Sequence, residues 1–208
     1  MERTTYHFPE WYAEIAPDML LSAYRTLVTQ RDLTFEETAE NIAVIGKAAK
    51  WLVSDSRKCS LLLAGTTGSG KTTLAQALCM VMETLPKMHN KNAQFTTDFL
   101  PEIKFKYITA TRLTEIAIED KPFYNEIRGC KYLLLDELGR ERLVSKSYGN
   151  EMSAVIDVLC ERYEKQLFTI ATSNFNASEL LEKYGLFVCD RITEMFNKIA
   201  FTEKSFRK

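Results

Sequence analysis

Apolar and polar residues fall into blocks along the chain, and the period within each block assigns it. Five short stretches lack helical spacing: CSLLLAG (59–65), KYITA (106–110), KYLLLD (131–136), LFTIAT (167–172) and KIAFT (198–202). KYITA alternates and the others are largely continuous apolar runs, so all five are expected to be strands. Between them the apolar positions recur every three or four residues. Phe35, Ala39, Ile42, Ile45, Ala49 and Leu52 predict a helix over 35–53, with Thr34 and Glu37 as its capping box. Leu74, Leu78, Val81, Met82 and Leu85 predict a second, ended by Pro86. Thr111 is expected to cap a third. Met152, Val155, Ile156, Leu159 and Tyr163 mark a fourth, and short helices are expected over 176–183 and 188–196. The stretch 87–105 shows no period and reads as a long loop. Upstream, Pro9 and Pro17 interrupt an aromatic-rich segment that leaves room for a short helix over 18–30.

Buried strands alternating with helices imply a parallel sheet covered on both faces. The expected fold is therefore α/β: a three-layer α/β/α domain with a parallel five-stranded sheet over 34–208, preceded by an extension, 1–33. Trp11, Tyr12, Leu20, Leu21 and Tyr24 of that extension form either a small partner-binding surface or an inward-packing cluster.

Composition narrows the function. With 27 basic and 28 acidic residues there is no global basic footprint, so nucleic-acid binding has to come from a local patch or from assembly. The five cysteines (Cys59, Cys79, Cys130, Cys160 and Cys189) are scattered, odd in number and without C-x-x-C spacing, and read as buried free thiols in a reducing cytoplasm. No stretch approaches the roughly 18 apolar residues of a membrane span. The first residues carry acids, aromatics and prolines where a secretion signal needs a basic start and an apolar run. A cytoplasmic protein is expected.

The chemistry begins at GTTGSGKTT, 65–73, which fits G-x-x-x-x-G-K-[S/T] between a strand and a helix. Gly65, Gly68 and Gly70 let the loop Thr66–Thr67–Gly68–Ser69 turn its N–H groups inward as a nest for phosphate. The following helix, which holds Thr73, adds its positive end. Lys71 reaches the β- and γ-phosphates, and the Thr72 hydroxyl ligates Mg²⁺. Such a loop needs an acid for the metal at the end of a neighbouring strand. Asp136, closing KYLLLD, fits. Glu137 follows at once, although strand neighbours point to opposite faces. One residue past the metal ligand it turns toward the γ-phosphate, where a carboxylate serves as general base for water. The pair favours hydrolysis over phosphoryl transfer to a small molecule. At the tip of TIATSN (169–174), Asn174, with Ser173 as the alternative, is placed to contact the γ-phosphate or the attacking water. Arg191 is either a pairing arginine beside Asp190 or Glu194, or an arginine finger for a neighbouring subunit's nucleotide.

GTTGSGKTT, YLLLDELG, TIATSN, CDRI and the terminal KSFR occur in the order and approximate spacing of AAA+ ATPases of the DnaC/IstB type, which the chain resembles over roughly 40–208. The resemblance implies a P-loop NTPase (AAA+ type) core with Lys71 and Thr72 as Walker A, Asp136 and Glu137 as Walker B, Asn174 as sensor 1 and Arg191 as the arginine of the family's DR motif. It also implies ATP and Mg²⁺ as cofactors, a homo-oligomer with ATP between subunits, single-stranded DNA, and a replicative helicase or a transposase as protein partner. In RERLVSKSYGN (140–150), Arg140, Arg142, Lys146 and Tyr148 have the chemistry to meet such a strand, cations for phosphate and a ring for stacking. The bland alternative is a solvated loop of mixed charge. The last strand ends close to the final residue, so no C-terminal helical lid is expected. Two further functions stay open: an IstB-like transposition helper, and a nucleotide-dependent scaffold with little turnover.

Overall fold

The computed structural model describes residues 12–54, 58, 60–92, 102–142, 145–147 and 150–201. In chain order its elements begin with α1 (Tyr12–Thr29), α2 (Ala39–Leu52), β1 (Ser60–Gly65), α3 (Lys71–Asn92) and β2 (Lys106–Thr109). There follow α4 (Ala110–Glu119), α5 (Lys121–Gly129), β3 (Tyr132–Leu138), β4 (Ser145–Ser147) and β5 (Asn150–Met152). The last are α6 (Ala154–Glu164), β6 (Phe168–Ser173), α7 (Ala177–Met195) and β7 (Phe196–Phe201). Among the described residues, the chain divides into two compact units, one of 58–71 and 106–201, the other of 12–54, 72–92 and 102–105.

The first unit carries the sheet, ordered β2-β3-β6-β1-β7 with every pairing parallel. The five expected strands are these five. Burial follows the order. β1, β3 and β6 occupy the middle and are buried along almost their whole length, as continuous apolar runs require, whereas the edge strands β2 and β7 are only partly covered. Leu62, Leu133, Leu135 and Ala171 on the sheet form one core with Leu113 of α4, Ile127 of α5, Val158 of α6 and Ile192 of α7. Arg162 of α6 is wholly buried, and its guanidinium donates to the Thr169 hydroxyl (2.8 Å) and to the carbonyls of Cys130 (2.8 Å) and Phe168 (2.6 Å).

In the second unit α1 packs on α2. Tyr24 meets Phe35 edge-on with centroids 5.4 Å apart, and the Arg25 guanidinium lies over the same ring. Tyr12, Leu20 and Tyr24 are buried and Leu21 half-buried, which is the inward-packing arrangement; Trp11 lies outside the described residues.

Several boundaries differ from the expected ones. α1 starts at Tyr12 and runs through Pro17. A proline inside a helix removes one backbone bond, and here the buried stripe Tyr12, Ala16, Leu20 and Ala23 outweighs that loss. The cap of α2 is Thr38, whose hydroxyl accepts from the Asn41 N–H (3.1 Å), not Thr34, while Glu37 pairs with Arg25. α3 continues past Pro86 to Asn92, so the first part of the expected loop is helical; propagating an established helix costs far less than nucleating one. Of the rest of that loop, 93–101 lie outside the described residues and 102–105 belong to no helix or strand. Thr109, rather than Thr111, caps α4 by accepting from Arg112 N–H. α5 was not foreseen: only Tyr124 and Ile127 are buried, too short a stripe to show a period, and Asp120 caps it. The two short helices expected over 176–183 and 188–196 are both present, parted at Gly185, whose backbone is not helical (φ 77°, ψ 167°), and α7 spans the two. Of the described cysteines only Cys79 is fully buried; Cys130, Cys160 and Cys189 are half-buried free thiols, and Cys59 lies outside the described residues. Among the described residues no helix is long and apolar enough to cross a membrane.

Candidate functional site

β1 delivers the chain into the turn 66–70, and α3 starts at Lys71. Gly68 and Gly70 take φ values of 82° and 85°, the left-handed region that side chains resist. Gly65 has a different duty. It pairs with Phe201 of β7, and a Cβ at this position would stand 2.6 Å from the Phe201 carbonyl oxygen. Thr66 and Thr67 are exposed and Ser69 is buried. Lys71 is buried too, its ammonium donating to the Thr66 carbonyl (2.6 Å) and more loosely to the Ser69 hydroxyl (3.3 Å). Burial pushes its pKa below the ordinary lysine value, while the charges of Asp136 and Glu137 pull the other way, so both acids lie within electrostatic reach of it. Thr72 and Thr73 occupy the first turn of α3, in the second unit. There the Arg31 guanidinium donates to the Thr73 hydroxyl (3.0 Å) and the Gln76 amide oxygen (2.6 Å).

The acid pair sits in a β-bulge. Leu135 is opposite Ala171, but the next partners are Leu138 and Ser173, so Asp136 and Glu137 together face one residue of β6, Thr172. Strict alternation fails at this point, and Glu137 takes φ 58°. Asp136 is buried. Its Oδ1 accepts from the Thr172 hydroxyl (2.5 Å), and its Oδ2 accepts from the Tyr107 hydroxyl on β2 (3.0 Å). The Thr172 oxygen also accepts from the Glu137 backbone N–H (3.0 Å). The Glu137 carboxylate is partly exposed and pairs with Arg140 (2.5 Å).

At the tip of β6, Ser173 is buried and committed to structure, donating to the Leu138 carbonyl (2.7 Å) and accepting from the Phe175 N–H. Asn174 stands one residue beyond, half-buried. Arg191, on the part of α7 after the kink, pairs within the chain with Glu164 (3.4 Å), not with Asp190 or Glu194. It lies over the rings of Phe187 (4.1 Å) and Tyr163 (5.3 Å). The segment after the acids is not a plain solvated loop. Glu141 is buried, accepting from the Gly139 N–H (3.0 Å) and the Tyr184 hydroxyl (2.6 Å), and 145–152 carries the antiparallel pair β4–β5. Arg140 and Arg142 are exposed, Lys146 lies on β4, and Tyr148 is outside the described residues.

Thr172, Tyr107 and Glu141 were not singled out by the sequence. Thr172 and Tyr107 differ from other strand hydroxyls only by the register that brings them to the acids, and register cannot be read from one strand at a time. Glu141 lies in a charged run, Arg140–Glu141–Arg142, where nothing distinguishes a buried acid from a solvated one.

The oxygen donors of Asp136 and Thr72 suit Mg²⁺, and the glycine-turned loop suits phosphate. Among the described residues no group of three or more His, Cys, Asp or Glu side chains is arranged to hold a metal.

No protein-family model matches the chain, and no curated protein matches it. Solved structures do. The DnaC helicase loader superposes with a TM-score of 0.58 at 20% identity, over 81% of this chain and 93% of that one. DnaI gives 0.54 at 19%, over 84% and 88%. The replication initiator DnaA bound to AMPPCP and single-stranded DNA gives 0.50 at 18%, over 84% of this chain but 49% of that one. The five-stranded parallel sheet and the helices around it share the fold of the DnaC helicase loader and of DnaI.

Proposed function

We propose that the chain is an ATP-hydrolysing AAA+ protein of the helicase-loader type. The observation that carries this reading is the bulge that brings a buried aspartate and a partly exposed glutamate, side by side, within electrostatic reach of the P-loop lysine. Lys71 and the loop N–H groups of 66–70 bind the phosphates. Asp136 and the Thr72 hydroxyl would hold Mg²⁺, which would offset the negative charge of the phosphates. Glu137 takes the proton of the attacking water, with Asn174 orienting that water. Arg191, released from Glu164, reaches the nucleotide of a neighbouring copy in a homo-oligomer.

Single-stranded DNA is met by Arg140, Arg142, Lys146 of β4 and Tyr148. Within 1–33 the exposed residues of α1, rather than its buried Tyr12, Leu20 and Tyr24, serve as the contact for a replicative helicase, and the protein works in the reducing cytoplasm. The likeness to DnaC, and the nucleotide and DNA carried by the DnaA structure, support this reading. The test is phosphate release from ATP with and without single-stranded DNA, together with capture of partners on Glu137→Gln held with ATP and Mg²⁺. Recovery of a replicative helicase is the expected result; recovery of a transposase would make the protein a transposition helper instead. Absence of any phosphate release, with ATP still bound, would make it a scaffold.

A further inference from the structure

Nothing in the five-stranded sheet itself calls for a hydroxyl at 172. The position is buried on β6, where valine would have nearly the same shape, a higher strand propensity and no polar atom to satisfy. The other buried threonine of the strand, Thr169, is accounted for by the Arg162 guanidinium. Thr172 is not. Its one oxygen accepts from the backbone of Glu137 and donates to the side chain of Asp136, so it addresses both acids at once. The two bonds act on different variables. The first closes the bulge and holds Glu137 in its left-handed conformation, which carries the side chain off the path that alternation would give it. The second fixes one oxygen of Asp136, and Tyr107, reaching in from β2, fixes the other. A carboxylate held at both oxygens keeps its rotamer when a cation arrives, as hydrogen-bonded carboxylate ligands do in metal sites generally.

We propose that Thr172 and Tyr107 are positioning residues for hydrolysis: Thr172 sets the geometry of the metal-binding and water-activating acids together, and Tyr107 completes the hold on Asp136. This rests on the ATPase reading above.

The experiment is a titration of Mg²⁺ against binding of a fluorescent ATP analogue, with turnover measured in parallel, on wild type, Thr172→Val, Thr172→Ser, Tyr107→Phe and Asp136→Asn. Thr172→Val is expected to bind the analogue as wild type does without Mg²⁺, to need roughly 10- to 100-fold more Mg²⁺, the usual loss for an outer-shell partner, and to turn over more slowly at saturating Mg²⁺. Thr172→Ser restores both. Tyr107→Phe shifts the Mg²⁺ requirement in the same direction but leaves the Glu137 backbone held, so its turnover at saturating Mg²⁺ stays closer to wild type. Melting temperatures are read alongside. If Thr172→Val does not fold, Tyr107→Phe, at the half-exposed edge strand, and Thr172→Ser carry the test. A folded Thr172→Val with wild-type Mg²⁺ dependence and turnover overturns the proposal. So does a Thr172→Ser as impaired as Thr172→Val, since the methyl group would then be the cause, and so does a folded Tyr107→Phe with an unchanged Mg²⁺ requirement. An Asp136→Asn that binds and responds to Mg²⁺ as wild type does removes the ATPase reading itself, and this inference with it.

Discussion

Glu137 occupies a backbone conformation that costs a non-glycine residue on the order of 1–3 kcal/mol. It is held there by the Thr172 hydroxyl, with its carboxylate against Arg140. Glu137→Gln is expected to bind ATP with near wild-type affinity and to lose hydrolysis by at least about 100-fold, as general-base removal typically does. Lys71→Ala loses nucleotide binding itself; equilibrium binding and phosphate release separate the two. The Arg140 pair is partly exposed, and such pairs are worth about 0.2–1 kcal/mol. Arg140→Ala therefore raises turnover in the absence of DNA by no more than about fivefold while weakening binding to single-stranded DNA, and an unchanged DNA affinity would remove Arg140 from the contact surface. At this scale the residue types were legible: an acid doublet at the end of an apolar run is visible in any reading of 132–139. The bulge between Leu135 and Leu138 was not, because alternation presumes an unbroken ladder.

Elements were legible where burial imposes a long period, and least so at their ends. The strands stand close to where the apolar runs place them, since a central parallel strand must be apolar on both faces. The caps went astray: Thr34 and Thr38 offer the same hydroxyl, and only packing decides between them. Thr38→Ala should lower stability by about 1 kcal/mol, the usual value of an N-cap, whereas Thr34→Ala should stay within about 0.5; equilibrium unfolding of the two variants checks the assignment. α5, invisible as a period, docks through Tyr124, whose hydroxyl donates to the Ala154 carbonyl (3.1 Å) at the start of α6. Burial pushes the Tyr124 pKa up from 10.0 to about 12. The raised folded value means its contribution is whole below pH 10 and is lost as pH rises through about 12. Unfolding midpoints across that window should fall with pH, and less steeply in Tyr124→Phe.

For the whole molecule, the account requires one chain to act on another. Arg191 is occupied within its own chain by Glu164 and two rings, so the proposed reach to a nucleotide requires an assembled state. Arg191→Ala should bind ATP normally and fail to hydrolyse it, and mixing it with Lys71→Ala should recover activity at mixed interfaces; no recovery at any ratio would leave Arg191 as a structural contact. All of this depends on the P-loop and the acid pair forming a hydrolytic site. The most direct test is phosphate release from ATP by wild type and Glu137→Gln, with ATP binding measured on the same samples. The account predicts release by wild type alone with binding by both; equal release by the two proteins would contradict it.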